Sequence, residues 1–388
     1  MKHSFHSARL KRFMRKPLIS LCTAGTILFF YPLHSFSAPT DGLVVKGSAA
    51  ISQSGLSTII DQGSARAVID WRGFDISANE RVQFNQVSSS AIALNRITGG
   101  NPTTILGQLA ANGRVFISNP NGVVFGAGSQ VDVAGLLATT LTVNADDFMA
   151  GKNAFTQASG FSPSFVVNQG EIRIADNGFC FLVASGVQNS GTIIGQLGKV
   201  VMASGDALTL DFNGDGLITY TVSGKVLESI IGPDGKPFDA TVSNTGTITA
   251  PGGNVVLVGN GAKDVFSSVV NNSGLIEATS LVAKGGEVAL LGGDEGIVQN
   301  TGTIDVSAAE VAAKAGHVAI SGQYAGNFGT ISAKGATGAN GGLVEFNSTI
   351  HTLLGSSSFI DVSGQDNSSA GSLLLRSDNH SSLSLIHI

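Results

Sequence analysis

The chain has 388 residues, of which 13% are charged and 43% are hydrophobic, and its formal net charge is −5. Low charge with a high apolar share excludes a disordered chain, and 51 glycines indicate many tight turns between short strands. The acidic balance argues against a nucleic-acid partner, because nucleic acids bind clustered Lys and Arg.

Residues 1–37 are predicted to form a signal peptide that is cleaved after Ser37. Six basic residues and no acidic one precede position 38, and the apolar run Leu18–Leu33 is shorter than the roughly 20 residues of a membrane span. We expect the remaining chain to be exported and soluble. Cys180 is then the only cysteine, so we predict a small buried apolar residue and no disulfide.

Strands with alternating apolar residues follow, separated by short polar breaks. The segments Arg66–Trp71 and Arg81–Asn85 show the alternation most clearly. Trp71 is the only tryptophan, and we predict that it anchors the core beside Phe74.

A turn is predicted at Asn119-Pro120-Asn121-Gly122, between the apolar runs Val115–Ile117 and Val123–Phe125. Proline presets φ for the second position of a turn, Asn119 can close a side-chain turn, and Gly122 tolerates positive φ. Taken alone, this turn is consistent with any β protein.

From residue 144 onward the sequence repeats, which is typical of a solenoid. An Asn-x-Gly-x-Ile unit recurs at steps of 21, 55, 28, 28 and 27 residues, and a Gly followed by alternating apolar residues comes after most units. The units begin at Asn168, Asn189, Asn244, Asn272, Asn300 and Asn327.

This period predicts an all-β, right-handed parallel β-helix with an N-terminal cap in its first hundred residues. Alternate residues such as Val255 and Leu257 should point inward, and the asparagines should form an amide ladder. The 55-residue step is roughly twice 28, so it is counted as two coils. About 350 mature residues at roughly 25 per coil predict about 14 coils and a rod of roughly 65 to 70 Å.

Parallel β-helices also include polysaccharide-degrading enzymes, which need clustered acids with basic partners. The pair Asp146-Asp147 is predicted to lie in a loop with no basic partner near in sequence. Residues 211–216 match the opening of a calcium loop, but Val222 stands where the bidentate Glu is required. We therefore predict no catalytic residue, no metal site and no cofactor, and a protein that is not an enzyme.

Four segments together resemble a known family: Asn95–Pro102, Ile105–Gly107, the turn at 119–122, and Val133–Thr140. They are similar to the secretion domain of filamentous-haemagglutinin-like exoproteins of the two-partner secretion pathway (the TPS domain). The resemblance favours the high-molecular-weight adhesin branch, because no Asn-Pro-Asn-Leu tetrad is present. It covers about residues 41–214, and more loosely extends to 371. The candidate transporter-recognition residues are Asn95, Arg96, Thr98, Gly99, Gly100, Asn119, Pro120, Asn121 and Gly122.

The resemblance implies a domain plan after the signal peptide. Residues 38–145 would hold the cap and the start of the secretion domain, 146–260 its remainder with early coils, and 261–375 further coils. Residues 376–388 are expected to form an irregular tail of a shortened exoprotein, where the last coil frays.

The resemblance also implies a partner and a place of action. The partner would be an outer-membrane β-barrel transporter of the TpsB type with periplasmic domains. The protein would be secreted to the cell surface through the periplasm and outer membrane, and act as an adhesin or haemagglutinin on a host or cell-surface glycan or protein. A β-helix module that binds or degrades polysaccharide is the alternative.

Overall fold

The computed structural model describes residues 38–212, 218–262, 264–282 and 284–378. The predicted signal peptide and residues 379–388 of the predicted tail lie outside the described residues. Within these described ranges, no helix has both the length and the apolar character needed to cross a membrane.

The described chain is almost entirely β structure, with one short helix, α1, at Ala145–Met149. The first strands are β1 Leu43–Lys46, β2 Ala49–Ser54, β3 Ser57–Gln62, β4 Arg66–Trp71, β5 Arg81–Gln86, β6 Ile92–Ile97, β7 Thr103–Ile105, β8 Gln108–Ala111, β9 Arg114–Ser118, β10 Val123–Phe125, β11 Gln130–Thr139, β12 Asn153–Thr156, β13 Phe165–Asn168, β14 Glu171–Ala184, β15 Gly186–Asn189 and β16 Thr192–Ile194. The later strands are β17 Lys199–Ser204, β18 Ala207–Phe212, β19 Ile218–Ser223, β20 Ala240–Asn244, β21 Thr247–Thr249, β22 Asn254–Val258, β23 Ser268–Asn272, β24 Leu275–Glu277, β25 Glu287–Leu291, β26 Ile297–Asn300, β27 Thr303–Asp305, β28 His317–Asn327, β29 Thr330–Ser332, β30 Leu343–Leu354, β31 Phe359–Asp361 and β32 Ser372–Ser377.

Parallel pairing between successive turns of the chain forms a β-helix, as predicted, and this helix has three faces. Face 1 stacks β3, β5, β8, β11, β14, β16, β21, β24, β27, β29 and β31. Face 2 stacks β4, β6, β9, β11, β14, β17, β22, β25, β28, β30 and β32. Face 3 stacks β7, β10, β13, β15, β20, β23, β26, β28 and β30.

The inward residues of all three faces form one continuous apolar core. Val255 and Leu257 point inward and are fully buried, which confirms the alternation read from the sequence. Trp71 packs edge-on against Phe74 with ring centroids 5.4 Å apart, as predicted. Cys180 is buried in the same core, and this burial raises the pKa of its thiol.

The predicted asparagine ladder is confirmed at the corner between face 3 and face 1. Each side-chain amide donates to the amide oxygen one coil further on, at 2.7 to 2.8 Å, from Asn168 through to Asn327. A glycine stands two residues after each of these asparagines, because the backbones of adjacent coils approach too closely there for a side chain. A Cβ on Gly246, for example, would lie 2.1 Å from the carbonyl oxygen of Gly191.

The 55-residue step was wrongly counted as two coils. Asn189 donates directly to Asn244, so these residues belong to adjacent coils, and residues 205–239 form an insertion. A second insertion, 140–164, separates β11 from β13. The insertions take residues out of the coils, so faces 1 and 2 each stack eleven strands. At about 4.8 Å per coil, the described stack is roughly 50 Å long, shorter than predicted.

Antiparallel strands cover the N-terminal end of the stack. Strand β1 pairs with β4 and β2 pairs with β3. Parallel pairing already begins at Ser57, so the cap is shorter than the hundred residues predicted. At the other end, β32 pairs with β30 as far as Ser377, so Arg376 and Ser377 are strand residues and not part of an irregular tail.

The insertions build a second layer on the outside of face 2. Strands β12, β18 and β19 form an antiparallel sheet that packs with α1 on outward residues such as Phe116 and Phe181. The prediction that Asp146 and Asp147 lie in a loop is wrong, because both residues lie in α1. Each also has a basic partner: Asp146 contacts Lys46 at 2.8 Å, and Asp147 contacts Lys152 at 3.4 Å.

The ladder should carry a measurable share of stability. Asn272→Ala leaves the buried amide groups of Asn244 and Asn300 without their partners, which costs about 1 to 3 kcal/mol for each group. We expect the urea midpoint of unfolding to fall clearly. The control Asn254→Ala removes a solvent-exposed 2.7 Å bond to Glu287 and should change stability by about 0.5 kcal/mol at most. Equal midpoints for the two variants would contradict a stabilising ladder.

Candidate functional site

The nine candidate residues meet at one corner of the β-helix, between face 2 and face 3. Asn95–Gly100 cover the end of β6 and the following turn, and residues 119–122 follow β9. Since β6 and β9 are parallel neighbours, the two turns stack in consecutive coils. We call this region the motif corner.

The turn at 119–122 has the conformation that its residues predict. The Gly122 N–H donates to the Asn119 carbonyl at 3.0 Å, and the Asn121 N–H donates to Asn119 Oδ1 at 3.0 Å. Gly122 has a φ of 122°, and an added Cβ would lie 3.0 Å from the Phe165 ring. Pro120, at the second position of the turn, is buried.

Asn119 ties the corner to the preceding coil. Its side chain is fully buried, and its Nδ2 donates to the Asn101 carbonyl and to Thr103 Oγ1, both at 3.0 Å. Its backbone N–H donates to the Thr139 carbonyl of the following coil at 3.0 Å. Asn119 therefore joins three coils. Asn121 is half-buried, and its Nδ2 donates to the Gly99 carbonyl at 3.0 Å, which links the two turns directly.

Asn95 and Thr98 connect the motif corner to Trp71 through hydrogen bonds. Asn95 is fully buried; its Oδ1 accepts from Trp71 Nε1 at 3.0 Å, and its Nδ2 donates to the Phe116 carbonyl at 3.2 Å. Thr98 Oγ1 donates to the Trp71 carbonyl at 2.9 Å while the rest of its side chain is exposed. Gly100 is exposed, with open space around it.

Charged groups beside the corner are paired or hydrogen-bonded. Arg96 forms a two-pronged ion pair with Asp70, at 2.7 and 2.9 Å, on neighbouring outward positions of β6 and β4. Asp75 accepts from the Thr104 N–H at 2.7 Å, and its pKa is raised because burial disfavours the carboxylate more than that bond favours it.

Sequence reasoning missed Asp70 and Thr103, which are partners of candidate residues. Asp70 lies one coil before Arg96, 26 residues earlier in the sequence. The length of one coil could therefore have predicted that these two residues are neighbours. Thr103 had no such signal, because its role depends on the turn of the next coil. Among the described residues, no group of three His, Cys, Asp or Glu side chains could hold a metal ion.

The geometry separates two kinds of candidate residue. Asn95, Asn119 and Pro120 are buried and hold the corner together, whereas Thr98 and Gly100 are accessible from outside. The motif corner therefore has only a small surface that a partner could contact. Most of its polar groups form hydrogen bonds inside the fold.

Asn119→Ala should destabilise the fold far more than Asn121→Ala. The first change leaves buried partners of Asn119 unsatisfied and should lower the free energy of unfolding by about 2 to 4 kcal/mol, against about 1 kcal/mol for the half-exposed Asn121. Chemical denaturation measures both values. Gly100→Ala, in open space, is the matched control and should lie within about 0.5 kcal/mol of the parent. A stable Asn119→Ala protein would refute this role.

Comparisons with known proteins agree with this architecture. Residues 35–306 match the TPS secretion domain. Two proteins of Haemophilus influenzae, each described as a heme/hemopexin-binding protein, are 33% and 34% identical over 263 and 256 residues, or 66% and 60% of this chain. The matches cover 27% and 25% of those proteins, so the chain spans about a quarter of their length.

A solved structure gives the same result for the fold. The crystal structure of the HMW1 secretion domain from Haemophilus influenzae superposes with a TM-score of 0.70 at 26% identity, over 85% of each chain. This match confirms the predicted likeness to the high-molecular-weight adhesin branch and the β-helix. The chain therefore belongs to the TPS secretion domain family of two-partner secretion exoproteins.

Proposed function

We propose that this chain is the exported partner of a two-partner system, and that its secretion domain targets it to an outer-membrane β-barrel transporter of the TpsB type with periplasmic domains. The observation that carries the proposal is the family match over residues 35–306, which spans the cap, the motif corner and the early coils. Exoproteins of this family are secreted through such a transporter, so the family implies the partner.

Stacking of coils would give export a direction. Each coil supplies the hydrogen-bonding edge and the ladder amide for the next, as in the pair Asn272 and Asn300. A coil that folds outside the membrane therefore forms a template for the following coil, and the folded rod cannot slide back through the pore. This supports a secreted or cell-surface location reached through the periplasm and outer membrane.

Within this function, we assign the motif corner chiefly to the fold. Asn119, Asn95 and Pro120 would act by fixing the stacking of the first coils, because their side chains are buried and Asn119 and Asn95 are fully hydrogen-bonded. Any contact that the corner makes with the transporter would use the exposed Thr98 and Gly100 and the partly exposed Arg96, Gly99 and Asn121.

Beyond export, we propose a non-enzymatic role as an adhesin that contacts a host or cell-surface glycan or protein. The similar proteins found are the HMW1 secretion domain and two proteins described as heme/hemopexin-binding, which favours binding over catalysis. Heme and hemopexin do not enter the proposal, because the matches cover only about a quarter of those proteins.

Export should depend on the transporter and on the folded corner. In a Gram-negative host that expresses the full chain, we expect the protein in the medium only when the cognate transporter with its periplasmic domains is co-expressed. Asn119→Ala should reduce the exported amount because the coils no longer fold stably. Gly100→Lys, which places a long side chain in open space, should be exported like the parent.

Two results would overturn parts of this account separately. Equal secretion with and without the transporter would refute the two-partner assignment. Loss of export for Gly100→Lys, with unchanged circular dichroism and unfolding midpoint, would show that the transporter contacts the corner directly.

A further inference from the structure

A hairpin of the second insertion lies on the outside of face 3 and borders a cavity. Its arms meet where the Phe238 N–H donates to the Ile230 carbonyl at 2.9 Å, and Gly235, with a φ of 78°, lies in the turn between them. The cavity has a volume of about 390 Å³, within the roughly 300 to 1,000 Å³ of small-molecule sites. We call this cavity, between the hairpin and the outward residues of β15, β20 and β23, the face 3 groove.

Apolar packing holds the hairpin against the rod. Ile230 and Phe238 join Phe165 and Val167 in an apolar cluster on the outer side of face 3. The rings of Phe165 and Phe238 lie 6.4 Å apart. A Cβ on Gly186 would lie 2.8 Å from both Ile230 and Phe238, so a larger residue there would displace the hairpin. One wall of the groove is therefore fixed to the rod in the free protein.

The floor of the groove is a row of polar side chains that repeats with the coils. Gln188, Ser243 and Asn271 hold the same outward position of β15, β20 and β23, about 4.8 Å apart from coil to coil. Within the described ranges, the side chains of Gln188 and Ser243 make no hydrogen bond, and Asn271 Oδ1 is buried without a partner. The floor therefore has hydrogen-bonding groups that the fold itself does not use.

The walls of the groove carry amide, hydroxyl and carboxylate groups. On the hairpin side, Lys236 lies 3.9 Å from Asp234, whereas Asp239 has no ion pair within the described part of the chain. The hairpin wall therefore has a small negative excess, which disfavours a polyanionic ligand. The opposite wall consists of exposed polar residues at the corner between face 3 and face 1: Gln169, Ser190 and Thr245.

A second cavity adjoins the groove at this corner. It has a volume of about 470 Å³, shares Gln169 and Ser190 with the groove, and follows corner glycines such as Gly191 and Gly246. A Cβ on either glycine would lie 2.1 Å from a carbonyl oxygen of the preceding coil, so the corner stays free of side chains there. The two cavities together have room for a ligand of several linked units.

We propose that the face 3 groove binds a neutral oligosaccharide. Sugar hydroxyl groups both donate and accept hydrogen bonds, which suits the amides and hydroxyls of the floor and walls. Because the floor residues repeat at the coil spacing, successive sugar units would each find polar partners. This proposal rests on the proposed adhesin role, and it names the surface and the ligand class for that role.

A protein partner fits the groove less well. Specific protein interfaces centre on apolar and aromatic side chains that become buried on binding. In the groove, Val167 and Phe238 are only 3% and 5% exposed, because they already pack the hairpin on the rod. They offer a protein partner little apolar surface, whereas the polar floor residues remain available to sugar hydroxyls.

The test measures binding of the purified full chain to a panel of neutral oligosaccharides built from hexoses and N-acetylhexosamines, with heparin fragments as the anionic comparison. The proposal expects saturable binding to a neutral member of the panel and none to heparin. Gln188→Ala and Asn271→Ala each remove a hydrogen-bonding group of the floor and should weaken binding about three- to tenfold. Ser243→Trp, which fills the floor with an indole ring, should abolish binding.

Gln299→Ala is the matched control. Gln299 holds the same outward position one coil beyond Asn271 and does not line the groove. This variant should bind within about twofold of the parent. Gln188, Asn271 and Gln299 are all partly exposed, so the three alanine variants should keep the unfolding midpoint of the parent, which separates a loss of binding from a loss of folding.

Three results would overturn the proposal: no binding to any neutral oligosaccharide at up to about 10 mM, binding to heparin alone, or equal affinities for Gln188→Ala and Gln299→Ala. Adhesion of the chain to cultured epithelial cells tests the proposed function separately. Adhesion that survives both Ser243→Trp and periodate oxidation of the surface sugars would refute the groove and leave the adhesin role standing. A parent chain that does not adhere at all would refute the adhesin role instead.

Discussion

The stacking of buried amides at the corner between face 3 and face 1 is the constraint on which the rest of the fold depends. A side-chain amide has one acceptor and two donor hydrogens, and a row of asparagines one coil apart satisfies them only if successive coils stay in register. A slip of one residue would turn every inward side chain outward, because the strand period is two. The ladder therefore fixes which residues form the core and which remain on the three outer faces.

Given this regular rod, the distinctive features of the protein come from the corner between face 2 and face 3. The motif turn at 119–122 and the insertions 140–164 and 205–239 all occur between strands of these two faces. The insertions cover outward apolar residues of face 2, and two arginines lie over the aromatic rings of this layer: Arg66 over Phe148 and Arg114 over Phe212. Partial burial there lowers the pKa of both guanidinium groups. Face 2 is thus apolar on both its inner and its outer side. The insertions cover only part of the outer side.

The repeat allowed most of the rod to be predicted, because each coil carries its own signals. The strand alternation, the ladder and the Trp71 anchor all depend on residues that are close in sequence or separated by one period. The outer layer could not be predicted in this way. Strand β12 pairs with β18, whose residues Ala207–Phe212 lie more than 50 positions later, and Asp146 pairs with Lys46 across a hundred residues. The same insertion made one coil look like two. At the motif corner, the sequence proposed the candidate residues, but only the structure showed that Asn119 and Asn95 are buried.

The central claim is that the motif corner is a folded junction of three coils before any transporter is present. Hydrogen exchange of individual backbone amides, in the free full chain and with the cognate transporter added, tests it most directly. The N–H groups of Thr103, Asn119 and Gly122 donate to backbone carbonyls at 2.9 to 3.0 Å. The account predicts slow exchange at all three amides in the free protein and no further protection in the complex. Fast exchange in the free chain, with protection only after the transporter is added, would contradict it.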